Sequence, residues 1–377
     1  MTRSSGSYSV AGIFMALFGL ASAFLSPVRA RFIDRYGLRR ALPPMTSAYA
    51  TLLAVIATLT WRGGAPNVVL WTLGVAAGAC TPPLGPVMRT LWRDILDGDL
   101  LHRAYALDTV AEELLYVIGP LLVGVLTAVA HPALGVAVSA ALVVAGALLL
   151  CASPVVQTRE PARADSPMRP GVTLGSRWRE TLATASGQGG LAGPVLVAAG
   201  IGACLGAVNL LVVAFAAGQH HVAAVAWVEA SLSLGSVLGG LLYGARTWPA
   251  PSAVRLSLLA GALGVAIAVA GSASGIVALS LLMGVAGLFV SPALSTAYLA
   301  ADQAASPARR TQAGAWVNTG FNLGGSGGAA GVGVLVARLP LLLSFLIAGG
   351  FAVLGAAVPP AGKGTGCSRS AVSRRRR

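Results

Sequence analysis

Carboxylates that interrupt apolar stretches are the residues of this sequence best suited to ion pairing or proton transfer. Among its 12 acidic residues, Glu229 stands deepest inside an apolar stretch and farthest from clustered arginines. A charge at the centre of a lipid bilayer costs about 2.5 to 3.5 kcal/mol even on permissive scales. If this stretch crosses a bilayer, we expect Glu229 to be protonated, paired or exposed to a water-filled cavity. The alternative is a neutral glutamic acid near the outer headgroups, beside Trp227 as an interfacial anchor.

A second acidic group consists of Asp108, Glu112 and Glu113, at the start of another apolar stretch. Asp108 and Glu112 are four residues apart and therefore share one face of a helix. Three carboxylates this close need cations to remain charged. The arginines that we expect to supply them are Arg35, Arg39, Arg93 and Arg103. The group is either a structural ion-pair network or a network in which one member also exchanges a proton.

Amide and aromatic side chains mark two further apolar stretches. Asn318 and Asn322 lie one helical turn apart, with Trp316 nearby, and Asn209 interrupts a separate stretch. Such side chains either hydrogen-bond between helices or line the path of a bound molecule. Both interpretations stay open for these four residues.

Metal, cofactor and nucleic-acid sites are not predicted. The four cysteines form no CxxC pair, and His220 and His221 have no evident third ligand for a metal. No glycine-rich phosphate loop is present. The basic residues separate apolar blocks instead of alternating with aromatic residues on one face, so the net charge of +14 does not indicate nucleic-acid binding.

The elements that must position these residues are membrane-spanning helices. The chain is 56% hydrophobic and only 10% charged, against about 25% charged in soluble domains. Its apolar residues form blocks of about 20, the length that crosses a bilayer as a helix. We predict an all-α polytopic protein with eleven spans, at about residues 8–29, 41–61, 66–90, 107–130, 132–151, 191–217, 222–245, 253–271, 275–300, 311–336 and 340–358.

A proline- and arginine-rich segment divides these spans into two groups. Residues 152–190 are predicted to link an N-terminal bundle of five helices, residues 1–151, to a C-terminal bundle of six, residues 191–360, followed by a basic tail, 361–377. All but Arg3, Arg62 and Arg338 of the 26 basic residues fall on one side of the predicted membrane. By the positive-inside rule that side is the cytoplasm, so we expect a cytoplasmic C-terminus in the plasma membrane.

Residues 31–40, directly after the first span, carry the pattern Asp34-Arg35, Gly37 and then Arg39-Arg40. This segment resembles the signature between the second and third helices of the major facilitator superfamily, with Ala30 and Leu38 as departures from it. The resemblance implies that the charged cluster holds helix ends together in one conformation and releases them in another. The alternative is an anchor at the lipid headgroups.

A second likeness concerns the predicted fourth span. Gly119-Pro120 with Gly124 is similar to the kinked fifth helix of facilitator exporters, although Val123 replaces one glycine of that pattern. Proline removes a backbone hydrogen bond and bends a helix, and small residues admit a neighbouring helix. The intramembrane arginine typical of proton-driven exporters is not found at the matching stretch, Gly74 to Gly78, which predicts close packing instead.

The resemblance implies a major facilitator fold of two pseudo-symmetric bundles, with the first helix of the family absent from this sequence. A weak internal repeat supports the symmetry, since Arg103, Ala106 and Val110 recur as Arg310, Ala313 and Val317. We expect a monomeric secondary transporter, and not an enzyme. It should export a small, fairly apolar solute, driven by a proton gradient, and its other partner should be membrane lipid. Alternatives are uptake without proton coupling, a membrane receptor or scaffold, and an integral membrane enzyme.

Overall fold

The structure is a computed structural model that describes residues 8–63, 65–129, 132–154, 156, 190–221, 224–335 and 339–357. All regular structure within these residues is helical. Most of the predicted linker and the whole basic tail lie outside the described residues.

Twelve α-helices and one short 3₁₀ turn follow one another in the described part of the chain. The first six are α1 Tyr8–Tyr36, α2 Leu38–Arg62, α3 Asn67–Cys80, α4 Leu84–Ile95, α5 Gly98–Val129 and α6 Pro132–Ala152. The others are α7 Ala192–Gly218, α8 Val225–Gly244, α9 Ser252–Ala270, α10 Ile276–Ala304, the turn Pro307–Arg309, α11 Arg310–Leu335 and α12 Leu341–Ala356. We refer to α1–α6 as the N-half and to α7–α12 as the C-half.

Each of the eleven predicted spans coincides with a helix, if α3 and α4 are taken together as one crossing, Asn67–Ile95. Within the described residues, eight of these helical stretches are long and apolar enough to cross a membrane. The helices α5 and α11 are more polar, and α12 is shorter at 16 residues. The prediction of an all-α polytopic membrane fold is therefore confirmed.

Several helices continue past the apolar segment that predicted them. α1 and α10 have 29 residues each and α5 has 32, which at 1.5 Å per residue exceeds the roughly 30 Å of a hydrocarbon core. Residues 31–40, which we predicted to connect two spans, are in fact the last turns of α1 and the first turn of α2. Only Gly37 interrupts them, with φ 78°, a left-handed conformation that favours glycine.

Most of the described arginines flank one end of the helix bundle, the end that holds Tyr36, Ile95, Gly244 and Ala304. We call this the basic end. The helices alternate in direction, so α1, α4, α8 and α10 finish at the basic end, whereas α5 and α11 begin there. Residues near these ends are consequently brought together from both halves.

Within each half, small residues allow close helix packing. A side chain at Gly202 of α7 would overlap the Phe321 carbonyl of α11, and one at Gly235 of α8 would overlap the Gly284 carbonyl of α10. In the N-half, α1 packs on α3 in the same way at Gly78. Backbones that approach this closely are typical of helices associating in a membrane, where apolar burial supplies little driving force.

The two halves meet along six helices, three from each half. In the N-half, α1 and α4 lie against α11, and α5 lies against α8 and α10. The residues singled out in the sequence lie mainly on these helices.

Candidate functional site

Asp34 of the signature segment contacts the C-half directly. Its carboxylate is 8% exposed and accepts a hydrogen bond from the backbone N–H of Gln312, at 3.0 Å. Gln312 lies in the first turn of α11, where backbone N–H groups have no helical acceptor and the helix dipole favours a negative charge. Asp34 therefore caps a helix of the opposite half.

The other signature residues lie around this contact. Gly37 makes the turn between α1 and α2, and Arg35 lies over the ring of Tyr36, 5.6 Å from its centroid. Arg39 and Arg40 are exposed at the basic end. Asp34 is thus the signature residue that bridges the halves most directly, whereas Arg39 and Arg40 face outward.

Arg89 is the cation of the acidic group on α5. Its side chain is 4% exposed; its Nε lies 3.1 Å from Asp108 Oδ2 and its Nη2 lies 2.5 Å from Glu112 Oε2. We predicted Arg35, Arg39, Arg93 and Arg103 for this role, and for these two carboxylates that prediction was wrong. The sequence places Arg89 among basic residues near a helix end, but helix α4 turns its side chain inward between α5 and the C-half.

Arg89 also reaches across to the C-half. Its guanidinium lies over the ring of Tyr298 on α10, 3.5 Å from the ring centroid, in the geometry of a cation–π contact. The hydroxyl of Tyr105 donates to the Arg89 carbonyl at 3.2 Å. One side chain therefore joins α4, α5 and α10.

A second ion-pair cluster lies at the basic end. Asp302 at the end of α10 lies 3.3 Å from Nε of Arg93 in the N-half and 3.6 Å from Nε of Arg310 in the C-half. Close by, the hydroxyls of Thr90 and Thr311 are 3.1 Å apart across the same boundary. Sequence reasoning assigned Asp302 no role, because its partners are remote along the chain.

Two further contacts join α5 and α8 at this end. The imidazole Nε2 of His102 lies 3.3 Å from the Tyr243 carbonyl, and the two rings pack edge to face. One turn deeper, Gly244 abuts Ala106 and Gly240 abuts Val110. The halves are therefore in contact at α1–α11, α4–α11, α4–α10, α5–α8 and α5–α10.

A hydrogen bond between the halves also forms at a proline of α1. Pro27 has no N–H, so the carbonyl of Ala23, four residues earlier, has no donor within the helix. The hydroxyl of Thr319 on α11 donates to that carbonyl at 2.9 Å. Here a helix defect supplies the acceptor for a contact between the halves.

The face of α11 that is closed at Thr311 becomes exposed farther from the basic end. Thr311, Asn318 and Asn322 share one face at spacings of seven and four residues. Thr311 is buried, Asn318 is half-buried, and Asn322 and Ser326 are exposed. The Asn322 amide donates to the Asn318 carbonyl at 2.9 Å. Beyond the Thr319 contact, the described residues thus leave this face of α11 uncovered.

The four residues predicted to line a cavity are not gathered at one place. Trp316 precedes Asn318 by two residues and so lies on the opposite side of α11, where it packs against the apolar core of the C-half. Asn209 of α7 is exposed, one turn beyond the close approach of Gly206 to Gly325. Of these four residues, only Asn318 and Asn322 share the face of α11 on which Thr311 contacts the N-half.

Glu229 lies on the side of α8 that faces α5. Glu229, Ser236 and Gly240 are spaced by seven and four residues and share a helix face, and Gly240 contacts α5 at Val110. Glu113 of α5 faces Ser236. Glu229 is half-buried, and the described residues provide it with no ion pair. Glu113 and Glu229 therefore lie along one boundary between the halves.

The Gly119–Pro120 pair lies within α5, which is helical from Gly98 to Val129. Nothing among the described atoms lies within 4 Å of the position that a side chain at Gly119 would take. No described helix therefore approaches this glycine closely in this conformation.

Comparisons with known proteins place this geometry in a family. The family model of the Major Facilitator Superfamily matches residues 1–191. Comparison with curated protein sequences returns no match. Among solved structures, the chain is similar to the human organic anion transporter TETRAN, with a TM-score of 0.72, 16% identity and 92% of this chain aligned to 82% of that one.

Two bacterial transporters have the same fold. The outward conformation of the E. coli fucose:proton symporter FucP aligns with a TM-score of 0.64 and 16% identity, over 93% of this chain and 89% of that one. A bacterial homologue of the iron transporter ferroportin, in an outward-facing state, aligns with a TM-score of 0.68 and 13% identity, over 93% and 90%. At these identities the likeness concerns the fold. Together with the family match, it shows that the chain belongs to the major facilitator superfamily of membrane transporters.

Proposed function

We propose that this protein is a secondary transporter that moves a small solute by alternating access, and that this conformation is closed at the cytoplasmic side. The observation that carries the proposal is the distribution of contacts between the halves. Hydrogen bonds and ion pairs cluster at the basic end, which the positive-inside rule assigns to the cytoplasm. Farther along α11 the same face is exposed at Asn322. Two halves that meet at one end and part toward the other form a cavity open to the outside.

The inner gate consists of the contacts Asp34–Gln312, Thr90–Thr311, Arg93–Asp302 and Arg89–Tyr298. Each joins one residue of the N-half to one of the C-half. For the cavity to open inward, these contacts must be exchanged for contacts with water. Because individual contacts of this kind contribute roughly 0.5 to 3 kcal/mol, the gate can be closed and still open on the timescale of transport.

Proton coupling is assigned to Glu113 and Glu229. Asp108 and Glu112 are already paired with Arg89, so a proton on either would have to compete with a buried cation. Glu113 and Glu229 have no arginine partner among the described residues. They lie at the α5–α8 boundary, across which alternating access would move one half against the other. We assign Asp108 and Glu112 to the gate instead.

We propose that the cargo is a small solute and that the protein exports it. The similar structures carry cargo as different as organic anions and fucose, so they do not select a substrate class. Uptake, or facilitated movement without protons, is the alternative, and it agrees equally well with the gate geometry.

A labelling experiment tests the proposed conformation without knowledge of the cargo. In a variant that lacks the native cysteines, Asn322→Cys should react with a membrane-impermeant maleimide added outside right-side-out vesicles. Thr296→Cys, at a residue that is 1% exposed, should not react. Reaction of the Asn322→Cys thiol only from the cytoplasmic side would refute the proposed orientation and gate.

Cross-linking tests the gate itself. The Thr90 and Thr311 hydroxyls are 3.1 Å apart, so Thr90→Cys combined with Thr311→Cys should form a disulfide under mild oxidation. In proteoliposomes, the oxidised protein should lose flux of any transported cargo, and reduction should restore it. An oxidised protein that retains full flux would contradict alternating access at this gate.

A further inference from the structure

The third crossing of the membrane, formed by α3 and α4, is broken by two consecutive prolines. Helix α3 ends at Cys80 and α4 begins at Leu84, with Thr81, Pro82 and Pro83 between them. In an unbroken helix, the N–H groups of residues 82 and 83 would bond to the carbonyls of Gly78 and Ala79. Proline has no N–H, so both carbonyls lack their helical donors inside the membrane, where an unsatisfied polar group is costly.

Arg29 of α1 donates to both of these carbonyls. Its Nη1 lies 2.5 Å from the Gly78 oxygen and 2.9 Å from the Ala79 oxygen. Its Nη2 donates to the Ser22 carbonyl at 2.8 Å. The guanidinium thus replaces the two backbone donors that the prolines remove, and it stays attached to its own helix by a third bond.

The charge of Arg29 is balanced without a carboxylate. The residue is 6% exposed, and the described residues provide it with no acidic partner. The C-terminal end of a helix carries roughly half a negative charge, and Arg29 lies at the C-terminal end of α3. A basic residue deep in a span was not expected from the sequence, and the broken helix end accounts for it.

Packing around Arg29 makes α1 and α3 one unit. A side chain at Gly78 would overlap the Phe18 carbonyl, and one at Gly74 would overlap the Phe14 ring. Beyond the break, α4 carries Arg89, which contacts Tyr298, while α1 carries Asp34, which contacts Gln312. Arg29 bonds to α1 and to the end of α3, and so links the helix that carries Asp34 to the break that precedes α4.

We propose that Arg29 is a positioning residue, which holds the proline break between α3 and α4 against α1 and thereby sets the direction of α4. The functional consequence rests on the proposed transport mechanism. The gate contacts of Asp34 and Arg89 should then form together and break together. The positioning role itself follows from the hydrogen bonds alone.

The test asks whether restored backbone donors make Arg29 dispensable. Three variants are compared with wild type: Arg29→Gln, the pair Pro82→Ala with Pro83→Ala, and all three substitutions combined. Each is made in a background without native cysteines that carries Thr90→Cys and Thr311→Cys. The readouts are the unfolding temperature of the detergent-purified protein and the initial rate of disulfide formation across the gate.

We expect Arg29→Gln to lower the unfolding temperature and to slow cross-linking at least fivefold, because two carbonyls lose their donors and α4 loses its direction. Adding the two alanines should recover most of both losses. Arg29→Lys should be intermediate, since a single ammonium nitrogen replaces two guanidinium nitrogens that reach different helices.

Recovery in the triple variant is the decisive outcome, because a residue that binds solute or an ion would not be rescued by backbone N–H groups elsewhere. A triple variant as defective as Arg29→Gln would overturn the proposal, as would a fully normal Arg29→Lys. Failure of cross-linking in the parent would instead count against the gate. The two hypotheses therefore fail on different measurements.

Discussion

Asp34 and Gln312 are 278 positions apart in the chain, yet the carboxylate of one accepts the backbone N–H of the other at 3.0 Å. The contact depends on a helix end rather than on a specific partner side chain, since the acceptor caps the first turn of α11. Any residue at position 312 with a backbone N–H could make it. The specificity of this contact therefore lies in Asp34.

Asp34→Asn should weaken the inner gate without unfolding the protein. The amide retains an oxygen acceptor but loses the charge that the helix N-terminus favours, an effect of about 0.3 to 2 kcal/mol. We expect disulfide formation between Thr90→Cys and Thr311→Cys to slow several-fold, and the unfolding temperature to change little. Asp97→Asn, at an exposed residue of the same end, serves as the matched control and should leave the cross-linking rate unaltered.

Arg89→Gln should destabilise the protein strongly. It leaves Asp108 and Glu112 without their cation. Removing one partner of a fully buried pair costs about 3 to 5 kcal/mol, which is an upper value here because the Glu112 side chain is 38% exposed. The measurement is the unfolding temperature in detergent. Combining Arg89→Gln with Asp108→Asn and Glu112→Gln should recover most of the loss, because the uncompensated charges are then gone. If the combined variant is less stable than Arg89→Gln, the ion pairs are not the reason for the burial of Arg89.

Thr319→Val should loosen the contact between α1 and α11. It removes the donor to the Ala23 carbonyl, a loss of about 1 kcal/mol or roughly fivefold in the gate equilibrium. Thr319→Ser retains the hydroxyl and should behave like wild type. In a Pro27→Ala background the carbonyl regains a helical donor, so Thr319→Val should then have little further effect on the cross-linking rate. Equal effects in both backgrounds would argue against the role of the proline.

Glu229→Gln and Glu113→Gln should uncouple transport from protons. Both remove a titratable carboxylate from the α5–α8 boundary while conserving shape. In proteoliposomes loaded with a pH-sensitive dye and screened against a panel of small organic cations, anions and sugars, the wild type should move protons with its cargo. In each variant the rate of this proton movement should fall at least tenfold, whereas Asp97→Asn should retain the wild-type rate. Full proton movement in both variants would exclude these residues as the coupling site.

The positions of the helices could be predicted from the sequence because the length of an apolar segment that crosses a bilayer is a local property. The turn at Gly37 was equally accessible, since its signature is contiguous in the chain. The extension of α1, α5 and α10 beyond their apolar segments was missed, because the additional helical turns are polar and apolar length does not detect them.

The pairs of residues in the proposed gate were decided by the tertiary structure. The sequence indicated that Asp108 and Glu112 require a cation. The structure shows that this cation is Arg89 of another helix and not one of the arginines that we predicted. Asp302 and Thr319 gave no signal in the sequence, since each is defined by a partner in the other half. Trp316 and Asn318, close in sequence, point to opposite sides of α11.

The sequence by itself determined that this chain crosses a membrane many times, where it crosses, and which family signature it carries. Only the tertiary structure decided which buried polar groups satisfy one another. The prolines at positions 27, 82 and 83 can be read from the sequence. It does not show that Thr319 and Arg29, on other helices, donate hydrogen bonds to the carbonyls that these prolines leave without donors. The physical reason is that helix formation in lipid is a local hydrogen-bonding requirement, whereas the repair of a local defect depends on whichever helix the fold places beside it.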